Sequence, residues 1–285
     1  MGIWAWDSNR VVVQHNRSYR NRIAGTKDGG GFDLDGGVTH SVMQYNLSYE
    51  NDGAGFMLMQ FPGRPHRDNV VRYNISYNDG RKNGFSGIAL IGGIEEVAVL
   101  HNSVFVAPAG SGEPSAVLVA GVLMGEETVD AVPAGARIRN NVFRASGGLP
   151  VIRVDRALTG IDFEGNVYFA DGAAPRIAWS GATYEGLEAW RAATTQESND
   201  AGPTGMVADP RWQRSPLWTV GSKPAIADDR LAEAFRMEAG SPLIDAGLAS
   251  SGAPSAETGE RDFFGTPLPQ RRGFDVGAHE LKGAP

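Results

Sequence analysis

Two acids one residue apart, Asp33 and Asp35, and two tryptophans with the same spacing, Trp4 and Trp6, are the side chains best suited to chemistry in this chain. On a β-strand, residues i and i+2 point to one face with Cα atoms about 6.5–7 Å apart. Two carboxyl groups so placed can divide the acid and base work of glycosidic cleavage, in retaining or inverting geometry alike. Indole faces beside them offer apolar area to sugar C–H surfaces and tolerate a wet rim. Asp33 and Asp35 are therefore the expected catalytic pair, and Trp4 and Trp6 the expected sugar platforms. Arg64, His66, Arg72 and Lys82 are expected at the rim as substrate-binding groups. They also allow a different reaction, proton abstraction next to a uronate carboxylate by a basic residue with a cation to acidify that carbon. Asp28 and Asp52, with Asn51 and Asp79 as further oxygen donors, are the expected ligands if that cation is Ca2+. The hydrolytic reading needs no cofactor.

These residues can act together only if neighbouring strands hold them in register. Four glycine-led strands align: Gly2-Ile-Trp-Ala-Trp6, Gly31-Phe-Asp-Leu-Asp35, Gly55-Phe-Met-Leu-Met59 and Gly87-Ile-Ala-Leu-Ile91. With Ile3, Phe32, Phe56 and Ile88 pointing inward, the outward rows become Trp4, Asp33, Met57, Ala89 and Trp6, Asp35, Met59, Ile91. The expectation is one exposed sheet on which tryptophans lie next to carboxylates.

The stacking is dictated by a repeat. An asparagine returns at Asn16, Asn46, Asn74, Asn102, Asn141 and Asn166, at intervals of 30, 28, 28, 39 and 25 residues. An apolar residue precedes each by three positions (Val13, Met43, Val71, Val99, Ile138, Phe163), and an aromatic follows most by three (Tyr19, Tyr49, Tyr77, Phe105, Phe169). Short β-rich runs surround these asparagines, broken by Gly and Asn-Asp-Gly turns. A single such unit cannot bury its apolar face, and stacking the units makes a continuous parallel sheet and core. Identical asparagines at one corner can then bond to their copies above and below, so that no buried amide is left unpaired. The Asn-X-Ser sequences at Asn16, Asn46 and Asn74 read as ladder positions, and His15 and His101 beside the ladder read as structural.

The segments Val12–Tyr19, Val42–Tyr49, Val71–Tyr77 and Gly29–Gly37, with Gly240-Ser-Pro-Leu-Ile-Asp-Ala-Gly247 and Phe274-Asp-Val-Gly-Ala-His-Glu280, resemble the right-handed parallel β-helix proteins of the pectate-lyase-like superfamily. That resemblance implies an all-β fold, a single-stranded right-handed parallel β-helix, of the carbohydrate-active type that bacteria secrete or keep in the periplasm. It implies a polysaccharide or oligosaccharide as partner. It spans hydrolases, lyases, epimerases and non-catalytic binders, so a glycan-binding or structural solenoid stands as a third reading.

Rungs are expected over residues 1–170, and a C-terminal segment with one short helix, capping and packing back on the solenoid, over 171–285. The helix is expected where Tyr184, Leu187, Trp190 and Thr194 fall at helical spacing. At the other end the chain opens in a strand, with no signal-peptide pattern and no amphipathic segment over the first rung, so a partner or a missing segment is expected to cover that edge. With 38 glycines and no cysteine among 285 residues, the composition suits a turn-dense β protein without disulfides. A net charge of −7 argues against a nucleic-acid partner, and no apolar run approaches the ~20 residues of a membrane span. Residues 1–84 hold 10 Lys and Arg against 8 Asp and Glu, a balance of +2, whereas the remainder holds 16 against 25, a balance of −9.

Overall fold

The computed structural model describes residues 1–25, 28–109, 111–121, 133–156, 158, 160–213, 230–249 and 258–283. Three short strands make each rung. They are β1 (Ile3–Ala5), β2 (Val12–Gln14) and β3 (Arg17–Tyr19); β4 (Phe32–Leu34), β5 (Val42–Gln44) and β6 (Leu47–Tyr49); and β7 (Phe56–Met59), β8 (Val70–Arg72) and β9 (Ile75–Tyr77). Three more rungs follow: β10 (Ser86–Ile91), β11 (Ala98–Leu100) and β12 (Ser103–Val106); β13 (Ser115–Ala120), β14 (Ala136–Arg139) and β15 (Val142–Ala145); and β16 (Pro150–Val154), β17 (Ile161–Glu164) and β18 (Val167–Ala170). The first strands of all rungs form one parallel sheet, extended by β19 (Arg176–Trp179) and the antiparallel β20 (Ala182–Glu185). The second strands form another sheet and the third strands a third. The fold is a right-handed parallel β-helix of about six turns.

The asparagines do what their repetition requires. Each Nδ2 donates to the Oδ1 of the asparagine one rung on, from 3.2 Å at Asn16–Asn46 to 2.9 Å at Asn141–Asn166. The same Oδ1 also accepts the backbone N–H of the previous asparagine, at 2.9–3.1 Å. The residue before each asparagine turns the corner in the left-handed region: His15, Tyr45, Tyr73, His101 and Asn140 all have φ of 48–57°. Such a conformation is costly for a side-chain-bearing residue and needs support from its surroundings. Stacking provides part of it, with ring centroids 5.1 Å apart for His15–Tyr45 and 4.9 Å for Tyr73–His101.

A second, shorter ladder runs at the next corner, Asn21 to Asn51 (2.8 Å) to Asp79 (2.8 Å), with Ser76 donating to the other Asp79 oxygen. It explains the glycine-led strands. A Cβ on Gly31 would lie 2.3 Å from the Ser48 hydroxyl, and one on Gly55 2.6 Å from Asp79 Oδ2, so the first sheet meets this corner only through glycine.

Both ladders end on a carboxyl group, whose oxygens accept several hydrogen bonds and need pass none onward, although burial raises the pKa of Asp79 to about 7 and also raises that of Glu197. Asp79 closes the short ladder. Glu197 closes the long one, taking the backbone N–H and Nδ2 of Asn166 (3.2 and 2.8 Å), the Gly165 N–H (2.6 Å), the Tyr168 hydroxyl (2.7 Å) and the Thr204 hydroxyl (3.0 Å). Next to it α1 (Leu187–Thr194) inserts Trp190, with no exposed surface, against Phe163 and Trp179. Two further strand pairs complete this end: β21 (Ser198–Asn199) with β22 (Gly202–Pro203), and β23 (Met206–Val207) on β18.

The irregular C-terminal residues lie on the outer face of the third sheet. There Tyr49, Tyr77 and Phe105 pack against Trp212, Phe235 and Leu243. The Phe274–Glu280 motif ties this layer to the solenoid: Ala278 N–H donates to Ser103 Oγ (2.9 Å), Gly277 N–H to Asn140 O (2.9 Å), and the Asp275 carbonyl meets His101 Nδ1 (3.0 Å). Burial lowers the His101 pKa to about 4, so the ring is neutral and structural. No helix among the described residues is long and apolar enough to cross a membrane.

Asn74→Ala removes the acceptor of two Asn46 N–H bonds and the donor to Met43 O (2.9 Å) and Asn102 Oδ1 (3.0 Å). At about 1–3 kcal/mol per buried group left unpaired, a loss of roughly 2–5 kcal/mol is expected in denaturant melts. A loss below about 1 kcal/mol would mean that the ladder contributes little to stability.

Candidate functional site

The register on the first sheet places Trp4 beside Asp33, Asp33 beside Met57 and Met57 beside Ala89. These side chains form one outward row, and Ile3, Phe32, Phe56 and Ile88 point into the core. What differs from the sequence expectation is exposure. Beyond the first rung this outer face is not open. Met57, Met59, Ala89, Ile91 and Leu118 form a buried apolar layer with Phe85, and Met1, Ile23 and Phe61 pack onto it from the connecting segments. A row of methionine, isoleucine and leucine on an outer face is itself the reason, since such side chains gain about 1.5–3 kcal/mol each from being covered.

Asp33 stands next to Met57 of this layer on the same face of the sheet. It is 2% exposed, and neither carboxyl oxygen has a hydrogen-bond partner. Burial pushes its pKa well above the usual carboxylate range, and the nearby Asp35 charge pushes it further. Its neutral, protonated form is thereby favoured. Asp35 is only partly buried, and its Oδ1 accepts the Gly36 N–H at 2.8 Å. The acid on β4 and the acid just past its end thus sit in opposite environments, one dry and unpartnered, one hydrogen-bonded and partly exposed.

The tryptophans flank them at the edge. Trp4 is 56% exposed and Trp6 38%, with ring centroids 6.5 Å apart at 67°. Trp6 also meets Phe61 edge-on at 5.2 Å. The guanidinium of Arg64 lies 5.5 Å from the Trp6 centroid and pairs with Asp7. Gly36 is needed here, because a Cβ would come within 2.9 Å of the Trp6 ring.

The other expected rim residues are elsewhere. His66 is 1% exposed and points inward, with Nε2 2.8 Å from the Leu34 carbonyl and Nδ1 3.2 Å from Asn69 Nδ2. Because that Asn69 nitrogen is a donor, Nδ1 accepts and Nε2–H donates. Burial lowers the pKa of the ring, which ties down the end of β4 between Asp33 and Asp35. Arg72 is on the second sheet, donates to Gln44 Oε1 at 2.7 Å, and lies beneath Gly259 of the C-terminal layer. Lys82 pairs with Asp52 at 3.0 Å, and Arg22 pairs with the same carboxylate at 3.2 Å. Those ion pairs and the Ile23 N–H hold the Asp52 pKa down despite its burial. Asp52 is thus paired with cations and Asn51 and Asp79 are taken up by the ladder, while Asp28 lies against Gly53, next to Asp52. Among the described residues no group of three His, Cys, Asp or Glu could hold a metal.

A cavity of about 300 Å³ lies on the outer face of the second sheet, between Leu100, Arg139, Glu164 and Leu248. Three of its polar groups bind each other, Arg139 to Glu164 at 2.7 Å and Glu164 to Asn199 at 2.8 Å. The buried, unpartnered acid that repetition could not reveal is on the first sheet.

No family model matches the sequence, and no curated protein matches it. Among solved structures the chain is similar to the crystal structure of pectate lyase Pel9A, at 14% identity over 98% of this chain and 68% of that one, with a TM-score of 0.44.

Proposed function

We propose that this chain is a carbohydrate-active β-helix that cleaves glycosidic bonds of an extended, neutral polysaccharide, with Asp33 as proton donor and Asp35 as its carboxylate partner. The observation that carries the reading is Asp33: a desolvated acid with no partner, on the outward row of a sheet, two residues from a second carboxylate. An acid kept protonated beside one that stays hydrated is the arrangement that assigns general acid and base or nucleophile. Trp4 and Trp6 supply the sugar platform at the open end of the row. Because Asp33 is 2% exposed, whatever covers it must shift before a glycosidic oxygen reaches it, and turnover includes that opening step.

Neutral substrates fit better than uronates because the cations are engaged. Arg64 is held by Asp7 and Trp6, Lys82 by Asp52, and Arg72 is buried on another sheet. The lyase reading loses its base as well, since His66 faces the core.

A panel of neutral and uronate polysaccharides, assayed for reducing ends and for the absorbance of unsaturated sugars, tests this. Reducing ends from a neutral glycan without unsaturated product are expected; an unsaturated product would replace hydrolysis by elimination. Trp4→Ala is expected to weaken saccharide binding by about tenfold to a hundredfold, the scale of losing an aromatic anchor. Unchanged affinity in a titration would remove Trp4 from the site.

A further inference from the structure

We propose that the cavity on the outer face of the second sheet is a second saccharide site, which holds a neutral sugar unit of the same polysaccharide at a distance from Asp33. Its ligand class rests on the neutral-glycan reading of the chain, and its position in the fold does not. At about 300 Å³ the cavity reaches the lower end of ligand-sized clefts. Three separate parts of the chain build it: β14 and β17, the residues just after α1, and the C-terminal layer at Leu248. These parts are fixed to one another without a ligand. Gln196 bridges along β17, accepting the Phe163 N–H at 2.7 Å and donating to the Ile161 carbonyl at 2.8 Å. Leu248 is held to the corner residue Asn140 by two bonds of 2.9 Å, one through its N–H and one through its carbonyl.

The charge pattern selects the occupant. The register sets Arg137 beside Asp162 and Arg139 beside Glu164, so two cations alternate with two anions and their charges cancel. A ligand with net charge of either sign would meet like charge on this floor. Sugar hydroxyls suit it, because each can donate to a carboxylate and accept from a guanidinium. Asp162 is exposed and has no hydrogen-bond or ion-pair partner among the described residues, and the Arg139 Nε–H also lacks an acceptor. Leu100 and Leu248 add apolar lining for sugar C–H surfaces. The floor belongs to the fifth and sixth rungs, and Trp4 and Asp33 to the first and second on another sheet. With rungs about 4.8 Å apart, the two sites are separated by roughly 15–20 Å along the solenoid axis. One sugar unit cannot fill both, and an extended chain can.

The probes are neutral hexasaccharides of glucose, xylose, mannose and galactose, offered to the Asp33→Asn variant so that none is cleaved. With free ligand at about ten times Kd, amide exchange in residues 137–139, 162–164 and 196–199 is expected to slow by about tenfold. Adding Asp162→Ala is expected to weaken binding by about tenfold, the scale of one hydrogen bond to a charged group, and to erase the protection on the second sheet. Adding Trp4→Ala instead is expected to leave that protection in place at saturating ligand. Parental affinity in the Asp162→Ala variant, or protection confined to β1 and β4, would overturn the second site and leave the Asp33 reading standing. Protection of residues 137–139 by a galacturonate hexasaccharide and not by the neutral ones would overturn the ligand class. If no neutral hexasaccharide protects either sheet, the second site and the neutral-glycan reading fall together.

Discussion

Asp33→Asn is expected to cut turnover on a cleaved glycan by roughly 10²–10⁴-fold, the usual contribution of a general acid, while saccharide affinity stays within about twofold. The same substitution is expected to stabilise the fold at alkaline pH. The Asp33 carboxyl has a raised pKa when folded and an ordinary one, near 3.9, when unfolded. Between those two values the folded chain binds more protons, so its stability is full below the unfolded pKa and falls as pH rises through the folded one. Asparagine cannot ionise and removes that slope. The variant should therefore melt higher than the parent at pH 8, by roughly 2–4 °C per kcal/mol, with the gap narrowing as pH falls and closing near the unfolded pKa, at about pH 4. A residue kept at a cost in stability and required for rate is the signature of a working acid. Parental turnover in the Asp33→Asn variant would dismiss Asp33 as proton donor. A lower melting point at every pH would make the carboxyl a structural group.

Glu197→Ala is expected to be the most destabilising single change in the solenoid. It strips the acceptor from Gly165 N–H, the Asn166 N–H and Nδ2, the Tyr168 hydroxyl and the Thr204 hydroxyl together. Hydrogen bonds to a charged group are each worth about 1.5–3 kcal/mol, and leaving several buried donors unpaired should cost roughly 4 kcal/mol or more in total. Glu197→Gln keeps one acceptor but turns an amide toward other donors, so an intermediate loss of roughly 1–3 kcal/mol is expected. Asn16→Ala at the opposite end should cost about 1 kcal/mol or less, because Asn46 Oδ1 still accepts the backbone N–H at 3.1 Å. Urea melts of the three variants would show whether the ladder is anchored at Glu197. Equal losses for Glu197→Ala and Asn16→Ala would mean that it is not.

A repeat is local information, which is why so much of the scaffold could be read directly. The asparagine kernel announced the ladder, and the glycine-led strands yielded the row Trp4, Asp33, Met57, Ala89 in the register the backbone adopts. The spacing of Leu187 and Trp190 marked α1 in the same way. Glu197 was missed although a signal existed, since a ladder of donors must end on an acceptor and the residues after Asn166 were the place to look.

Side-chain surroundings were a different matter, because they depend on which distant segment folds over which face. The strand period says that Asp33 points outward, but only contacts with Ile23, Phe61 and Phe85 decide that outward is dry on this sheet. Nothing near His66 in the chain says that its ring turns inward to the Leu34 carbonyl, 32 residues away. Arg72 and Lys82 lie in the net-positive part of the sequence, yet one is covered by the C-terminal layer at Gly259 and the other is held by Asp52. Period and composition determine which way a side chain points and how the rungs stack. Desolvation and charge pairing are sums over neighbours brought close by the fold, so the upward pKa shift of Asp33 was decided only by the tertiary structure.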